Sequence, residues 1–257
     1  MGHLNELHEK YAEKGLTILA ISQQDKSTVQ SFVDELGAKY PTICESSDSM
    51  TAYGCTGFPS SFLIDTGGRI VWVGHPSGFT DAVVDEHLAR AKILPPWPKA
   101  LKDVKKAFGK QRFADALAKV EKHAESGKLD EAAQKDAEAI RDWLAWYGES
   151  RLEAADQDLE AGNFFTAARA LEEIEELYKK HELAQKAAAK LDELLSDPER
   201  KLEVKAGEKL EKILAAIQGE SPKKALKKLR PLLGKKYAET EAGKRAKTLA
   251  EELEKKL

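Results

Sequence analysis

The sequence predicts two structural classes in tandem, an α/β unit and then an all-α unit, and three observations carry this reading. Leu16-Thr17-Ile18-Leu19-Ala20-Ile21 is a nearly unbroken apolar run, which suits a strand buried on both faces of a parallel sheet. Phe62-Leu63-Ile64 and Ile70-Val71-Trp72-Val73 flank Asp65-Thr66-Gly67-Gly68, the pattern of a tight β-hairpin. Beyond Pro95-Pro96-Trp97-Pro98 the punctuating Val, Ile, Thr and Gly give way to Ala, Leu, Glu and Lys, residues of high helix propensity. The expected organisation is therefore an α/β domain over residues 1–94, a Pro-rich linker over 95–98 and a helical domain over 99–257.

In the first domain, Leu4, Leu7 and Tyr11 recur at helical spacing, so the opening segment is expected to lay one face on a sheet until Gly15 ends it. Ser27 followed by Gln30 has the form of a capping box and is expected to start a helix carrying Val29, Phe32, Val33 and Leu36. With the short strand Thr42-Ile43-Cys44 after Pro41, this makes a βαβ unit. Ser46 to Ser49 read as a turn and cap for a short helix through Tyr53. Pro59 stands just before the first hairpin strand, where its missing N–H costs no ladder bond. After the hairpin, Thr80 is expected to cap a helix from Asp81 to Ala91 with Val83, Val84, Leu88 and Ala91 inward.

In the second domain no convincing strand follows Leu94. Phe113 with Ala116, Leu117 and Val120, Phe164 with Ala167, Ala168 and Leu171, and Pro222 with Ala225, Leu226 and Leu229 repeat one +3, +4, +7 helix-start pattern. Spacings of 51 and 58 residues are too long and uneven for a strict 34-residue repeat. Stacked antiparallel helix pairs of irregular period are expected, each burying an apolar face that a single pair leaves open.

Charge is uneven along the 257 residues, whose formal net is −3: 7 basic against 12 acidic residues in 1–94, 17 against 22 in 95–198, and 17 against 10 in 199–257. No stretch approaches the ~20 apolar residues of a membrane-spanning helix. The first residues carry neither the basic region nor the apolar core of a signal peptide. The basic segment from Lys223 to Lys236 alternates with Ala and Leu and is read as a solvated helix face, so no nucleic-acid partner is expected. Trp143, Trp146 and Tyr147, at helical spacing, are read as core in preference to a ligand cage.

Cys44 and Cys55 are the only cysteines. They form no Cys-x-x-Cys, and neither they nor the six histidines have the spacing of a metal site, so no metal or cofactor is expected. Two readings stay open for them: small apolar packing residues, or a disulfide or redox pair, the latter because Cys55 lies four residues before Pro59.

Phe58-Pro59-Ser60-Ser61-Phe62-Leu63-Ile64-Asp65 followed by Gly68-Arg69-Ile70-Val71 resembles the cis-proline loop and hairpin of the TlpA/ResA-like thiol-disulfide oxidoreductases, within the redoxin superfamily. Leu16 to Ser22, Ser27 to Tyr40 and His3 to Tyr11 resemble, in order, that family's second central strand, its following helix and the second half of its first long helix. The likeness runs from about Met1 to Lys92. It implies a thioredoxin-like fold for the first domain, a cis Phe58–Pro59 bond, and a role for Phe58 and Pro59 in docking a partner chain in extended form. It also implies that the family's first strand and its Cys-x-x-Cys, nucleophile and resolving thiol, are missing from this chain. An interior strand cannot be removed cheaply, since unpaired buried backbone groups cost about 1–3 kcal/mol each. The expectation is thus an incomplete thioredoxin-like domain whose full form has an upstream strand with the redox pair, exchanging disulfides with partner proteins in the cell envelope by family analogy. The alternative is a degenerate, non-catalytic domain, cytoplasmic if nothing precedes it. A peroxide-reducing redoxin has no visible nucleophile here. Gly162-Asn163-Phe164-Phe165-Thr166-Ala167-Ala168, and Lys236 to Thr240, resemble the starts of TPR-like helical hairpins, implying a surface for a protein partner on the helical domain.

Overall fold

The computed structural model describes residues 2–46, 49, 53–55, 57–217, 219–255 and 257. It divides into two compact units, Met1–Ile93 and Leu94–Leu257.

The first unit begins with α1 (Gly2–Tyr11), which buries Leu7 and Tyr11 and passes through one 3₁₀ turn to Gly15. Gly15 sits at φ 106°, a left-handed conformation that admits glycine readily. Strand β1 (Ala20–Ile21) pairs in parallel with β2 (Thr42–Ile43), with α2 (Lys26–Leu36) as the crossover, so the βαβ unit forms. Two details differ from expectation. The cap of α2 is Asp25, whose carboxylate accepts from the Ser27 and Thr28 backbone N–H groups, both at 3.0 Å, and from both hydroxyls. These donors hold the Asp25 carboxyl well below the usual carboxylate range, the Ser27 hydroxyl contributing most. Gln30 turns outward to Asp34 and closes no capping box.

The run Leu16–Ile21 is also not buried on both faces. Leu16 and Ile18 face inward, whereas Leu19 is 54% and Ile21 45% exposed. Leu16 and Ile18, in the segment leading into β1, pack with α1 and α3 (Asp81–Leu88), and among the described residues nothing covers Leu19 and Ile21. Phe32 and Leu36 of α2, expected on its packed face, are exposed too.

The hairpin pairs β3 (Ser61–Ile64) with β4 (Ile70–Gly74) in the register Ser61↔Gly74, Phe62↔Val73 and Leu63↔Trp72, with an irregularity before Ile64↔Ile70. Asp65 organises the turn by accepting from the Gly67 and Arg69 N–H groups, both at 2.9 Å, and Gly68 takes φ 82°. The two ladders are separate two-stranded sheets among the described residues. One apolar layer joins the hairpin to the segment before β1: Leu7, Tyr11, Leu16, Phe79 and Val84 are buried against Ile18 and against Leu63 and Trp72 of the hairpin. Polar ties reinforce it: Lys10 on α1 pairs with Asp81 on α3 at 2.9 Å, and Asn5 bridges α1 to the end of α2 through Gly37 O and Lys39 N. Thr80 occupies the N-cap position of α3 without a side-chain cap bond, and that helix ends at Leu88, short of Ala91. The expected short helix after Ser46 falls largely outside the described residues.

Every helix or strand described in the second unit is helical. The helices are α4 (Lys102–Phe108), α5 (Phe113–Glu125), α6 (Glu131–Glu160), α7 (Phe164–Leu177), α8 (Glu182–Ser196), α9 (Pro198–Ile217), α10 (Pro222–Leu229) and α11 (Glu241–Glu254). The three helix-start phrases open α5, α7 and α10. From α4 to α8 each helix packs chiefly on its sequence neighbours, and α9 joins that stack to α10 and α11. Caps match the local sequence: Asp130 accepts from Ala133 N at 2.8 Å and Thr240 from Gly243 N at 3.0 Å. Trp97, within the Pro-rich tetrad, packs on the helical core beside Phe108 at 5.2 Å, so the tetrad is partly built into the second unit. Trp143 and Tyr147 stack at 5.1 Å against that same core.

Candidate functional site

The residues singled out from the sequence lie at the ends of the two ladders of the first unit. Cys44 directly follows β2 and is held there by the backbone: Ser22 N donates to Ile43 O at 2.8 Å, Glu45 N to Gln24 O at 2.9 Å, and Ser46 N to Ser22 O at 3.0 Å. Glu45 takes φ 56°, so the chain turns sharply beyond the cysteine. Cys44 thus stands at the carboxyl end of a parallel strand pair, the end at which α/β sheets place ligands.

Cys55 lies in the segment leading to β3. Both cysteines are half-buried, and no disulfide joins them. Cys44 follows the first ladder and Cys55 precedes the second.

The Phe58–Pro59 peptide bond is cis. Ser60 Oγ donates to Gly57 O at 2.7 Å, closing the loop around it. Phe58 is 64% exposed, and the loop delivers the chain directly into Ser61 of β3. Tyr53 packs its ring on Phe62 at 5.0 Å, which lays the segment before Cys55 on the outer side of β3. That side is apolar and open: Ile64, Val71 and Val73 are exposed there, as Leu19, Ile21 and Ile43 are on the other ladder. Sequence reasoning missed this open face. Its signal lay in Phe62, Ile64, Val71 and Val73, apolar on the hairpin face opposite Leu63 and Trp72.

Among the described residues no group of three or more His, Cys, Asp or Glu is arranged to hold a metal ion, and no helix is long and apolar enough to cross a membrane. The loop and strand ends offer exposed apolar surface, open backbone edges and two thiols.

Residues 1–73 match the AhpC/TSA family. Among curated proteins, the thiol-disulfide oxidoreductase ResA of Halalkalibacterium halodurans is 34% identical over 94 residues, which is 36% of this chain and 53% of that protein. ResA of Bacillus anthracis is 37% identical over 73 residues, 28% of this chain and 42% of that protein, and ResA of Geobacillus thermodenitrificans is 33% identical over 72 residues, 27% and 41% respectively. The chain spans about half the length, or less, of these relatives. No solved structure matches. The N-terminal part of the chain, α1 through β4, is therefore similar to the AhpC/TSA redoxins and to ResA-type thiol-disulfide oxidoreductases.

Proposed function

We propose that residues 1–94 are a thioredoxin-like domain of the thiol-disulfide oxidoreductase family that receives an extended partner chain at Phe58 and Pro59, and that the 257-residue chain does not itself exchange disulfides. The observation that carries the reading is the loop from Gly57 to Ser60 feeding β3, inside the stretch similar to ResA, with the Phe58 side chain turned to solvent. Thiol-disulfide exchange needs a thiolate nucleophile beside a second thiol. Cys44 follows β2, Cys55 lies in the segment leading to β3, and the two form no Cys-x-x-Cys.

Insulin reduction in the presence of dithiothreitol tests this. The 257-residue chain is expected to give no rate above the reductant alone. A clear rate that disappears in Cys44→Ser or Cys55→Ser would overturn the inactive reading and make that cysteine the nucleophile.

A second reading, a non-catalytic adaptor with a TPR-like helical half that recruits a protein partner, is favoured by the same two half-buried, unpaired cysteines. The mass of the protein isolated from its own cells separates the two. A mass well above 28.4 kDa with an added Cys-x-x-Cys supports the oxidoreductase, and 28.4 kDa supports the adaptor.

A further inference from the structure

Lys223 to Lys236 holds seven Lys and Arg and no Asp or Glu. The structure divides these cations into two sets. Lys224 and Lys228 are used internally: both pair with Glu220, at 3.3 and 3.1 Å, and Lys228 also donates to Ala216 O at 2.6 Å. Lys223 and Lys227 of α10 and Arg230 just past its end, at i, i+4 and i+7, share an exposed stripe beside that pair and have no ion pair among the described residues. Their helix is fixed from behind by Ala225 and Leu229, both buried in the C-terminal core.

The stripe runs into the turn Arg230-Pro231-Leu232-Leu233-Gly234-Lys235-Lys236. Here two adjacent leucines part. Leu232 is fully buried in the core, while Leu233 is 38% exposed among the cations. Leu257, the last residue of the chain, is the other large apolar side chain exposed among the described residues of this unit.

We propose that the Lys223–Lys236 segment is a docking surface for an anionic lipid membrane, with Lys223, Lys227, Arg230, Lys235 and Lys236 on the headgroups and Leu233 set into the headgroup–acyl boundary. Cations along one exposed helix-and-turn segment with an apolar residue at the turn suit a lipid surface, which offers negative charge and apolar depth together. A nucleic acid fits less well. Its phosphates give Leu233 nothing, and the nearby aromatic that could stack on a base, Tyr237, has its ring flanked by Lys209 and Lys236 at 5.3 and 5.2 Å.

The test is co-sedimentation of the full chain with vesicles of phosphatidylcholine alone or mixed with phosphatidylserine. Binding is expected to be at least about tenfold stronger to the phosphatidylserine vesicles and to fall about tenfold between low salt and several hundred millimolar salt, as screening shortens the reach of the cations. The triple variant K223E/K227E/R230E should lose at least about tenfold while keeping its helical circular dichroism, and Leu233→Ser should lose a few-fold. The control K106E/K110E, on exposed lysines elsewhere in the helical unit, should match the parent. Equal binding to both vesicle types, no binding to either, or an equal loss in the control would overturn the proposal. So would tighter binding to duplex DNA at the same salt that the triple variant abolishes, which would assign the surface to nucleic acid.

Discussion

Gly148 of α6 and Tyr178 at the end of α7 approach so closely that a Cβ on Gly148 would lie 2.9 Å from Tyr178 Cζ, and 2.5 Å from Leu183 Cδ1. The absent side chain lets Tyr178 enter the helical core and donate its hydroxyl to Leu144 O at 2.5 Å, one turn back on α6. Burial raises the Tyr178 phenol above its ordinary value, so the donor stays protonated throughout the useful pH range. Gly148→Ala should gain about 1 kcal/mol of helix propensity and lose about 1–3 kcal/mol to overpacking, for a net loss. Tyr178→Phe should cost about 0.5–1.5 kcal/mol. Urea denaturation followed by circular dichroism checks both, and a stabilised alanine variant would show that Tyr178 yields easily.

Gly243 makes a harsher contact, because the obstacle is main chain. A Cβ there would fall 1.8 Å from Tyr237 O, and the same residue supplies the N–H that caps α11 through Thr240 Oγ1. Thr240 is itself buried and donates to Tyr237 O at 2.7 Å. Thr240→Ala should cost about 1 kcal/mol, the usual worth of a cap. Gly243→Ala should cost more than that, since the turn must move, and its loss should show as early proteolysis near residues 237–243.

An acid-sensitive contact joins two helices of the second unit. His123 Nε2 lies 2.9 Å from Asp103 Oδ1, joining α5 to α4. Partial burial alone would raise the Asp103 carboxyl, but the His123 hydrogen bond and charge, with the backbone N–H groups of Val104 and Asp103, bring it below the ordinary value. A carboxyl lowered by folding stabilises the folded state above its unfolded value of about 3.9, and that contribution is lost as pH falls through the folded value. Stability measured from pH 6 to pH 2 should therefore fall less steeply below pH 4 in Asp103→Asn than in the parent. Parallel curves would mean the pair is solvated away.

Helix starts were legible because the residues that cause them are local. Phe113, Phe164 and Pro222 open their helices, Lys236 to Thr240 directly precede the last, and the Asp65–Gly68 turn is set by a few adjacent residues. The Ser27–Gln30 motif misled because Asp25, two residues earlier, offers a carboxylate to the Ser27 and Thr28 N–H groups and to their hydroxyls, which starts the helix ahead of Ser27. Burial of the strands was not legible, since an apolar run carries no mark of how many layers cover it. Leu16 and Leu19 look alike in sequence, and only tertiary packing buries the first and exposes the second. At the site, the Ser60–Gly57 bond and the left-handed Glu45 depend on chain path, for which Ser60 and Glu45 carry no distinctive sequence signal.

The open face of the two ladders gives the sharpest stability contrast in the first unit. Leu63 and Trp72 face the α1–α3 layer, while Leu19 and Val73, the latter 60% exposed, face away from it. Leu63→Ala is expected to cost about 2–5 kcal/mol scaled down for its partial burial, because it leaves a void against Leu7, Val84 and their neighbours. Leu19→Thr and Val73→Thr should change stability by no more than about 0.5 kcal/mol, since little apolar area leaves the core. They should also raise solubility by breaking up an exposed apolar patch beside unpaired strand edges. Thermal melts of the three variants in the 257-residue chain, with light scattering recorded alongside, decide it. Should Leu19→Thr destabilise as much as Leu63→Ala, the outer face would be a packed surface in solution, covered by a strand or a partner, and the docking role proposed for the Phe58–Pro59 loop would have to share it.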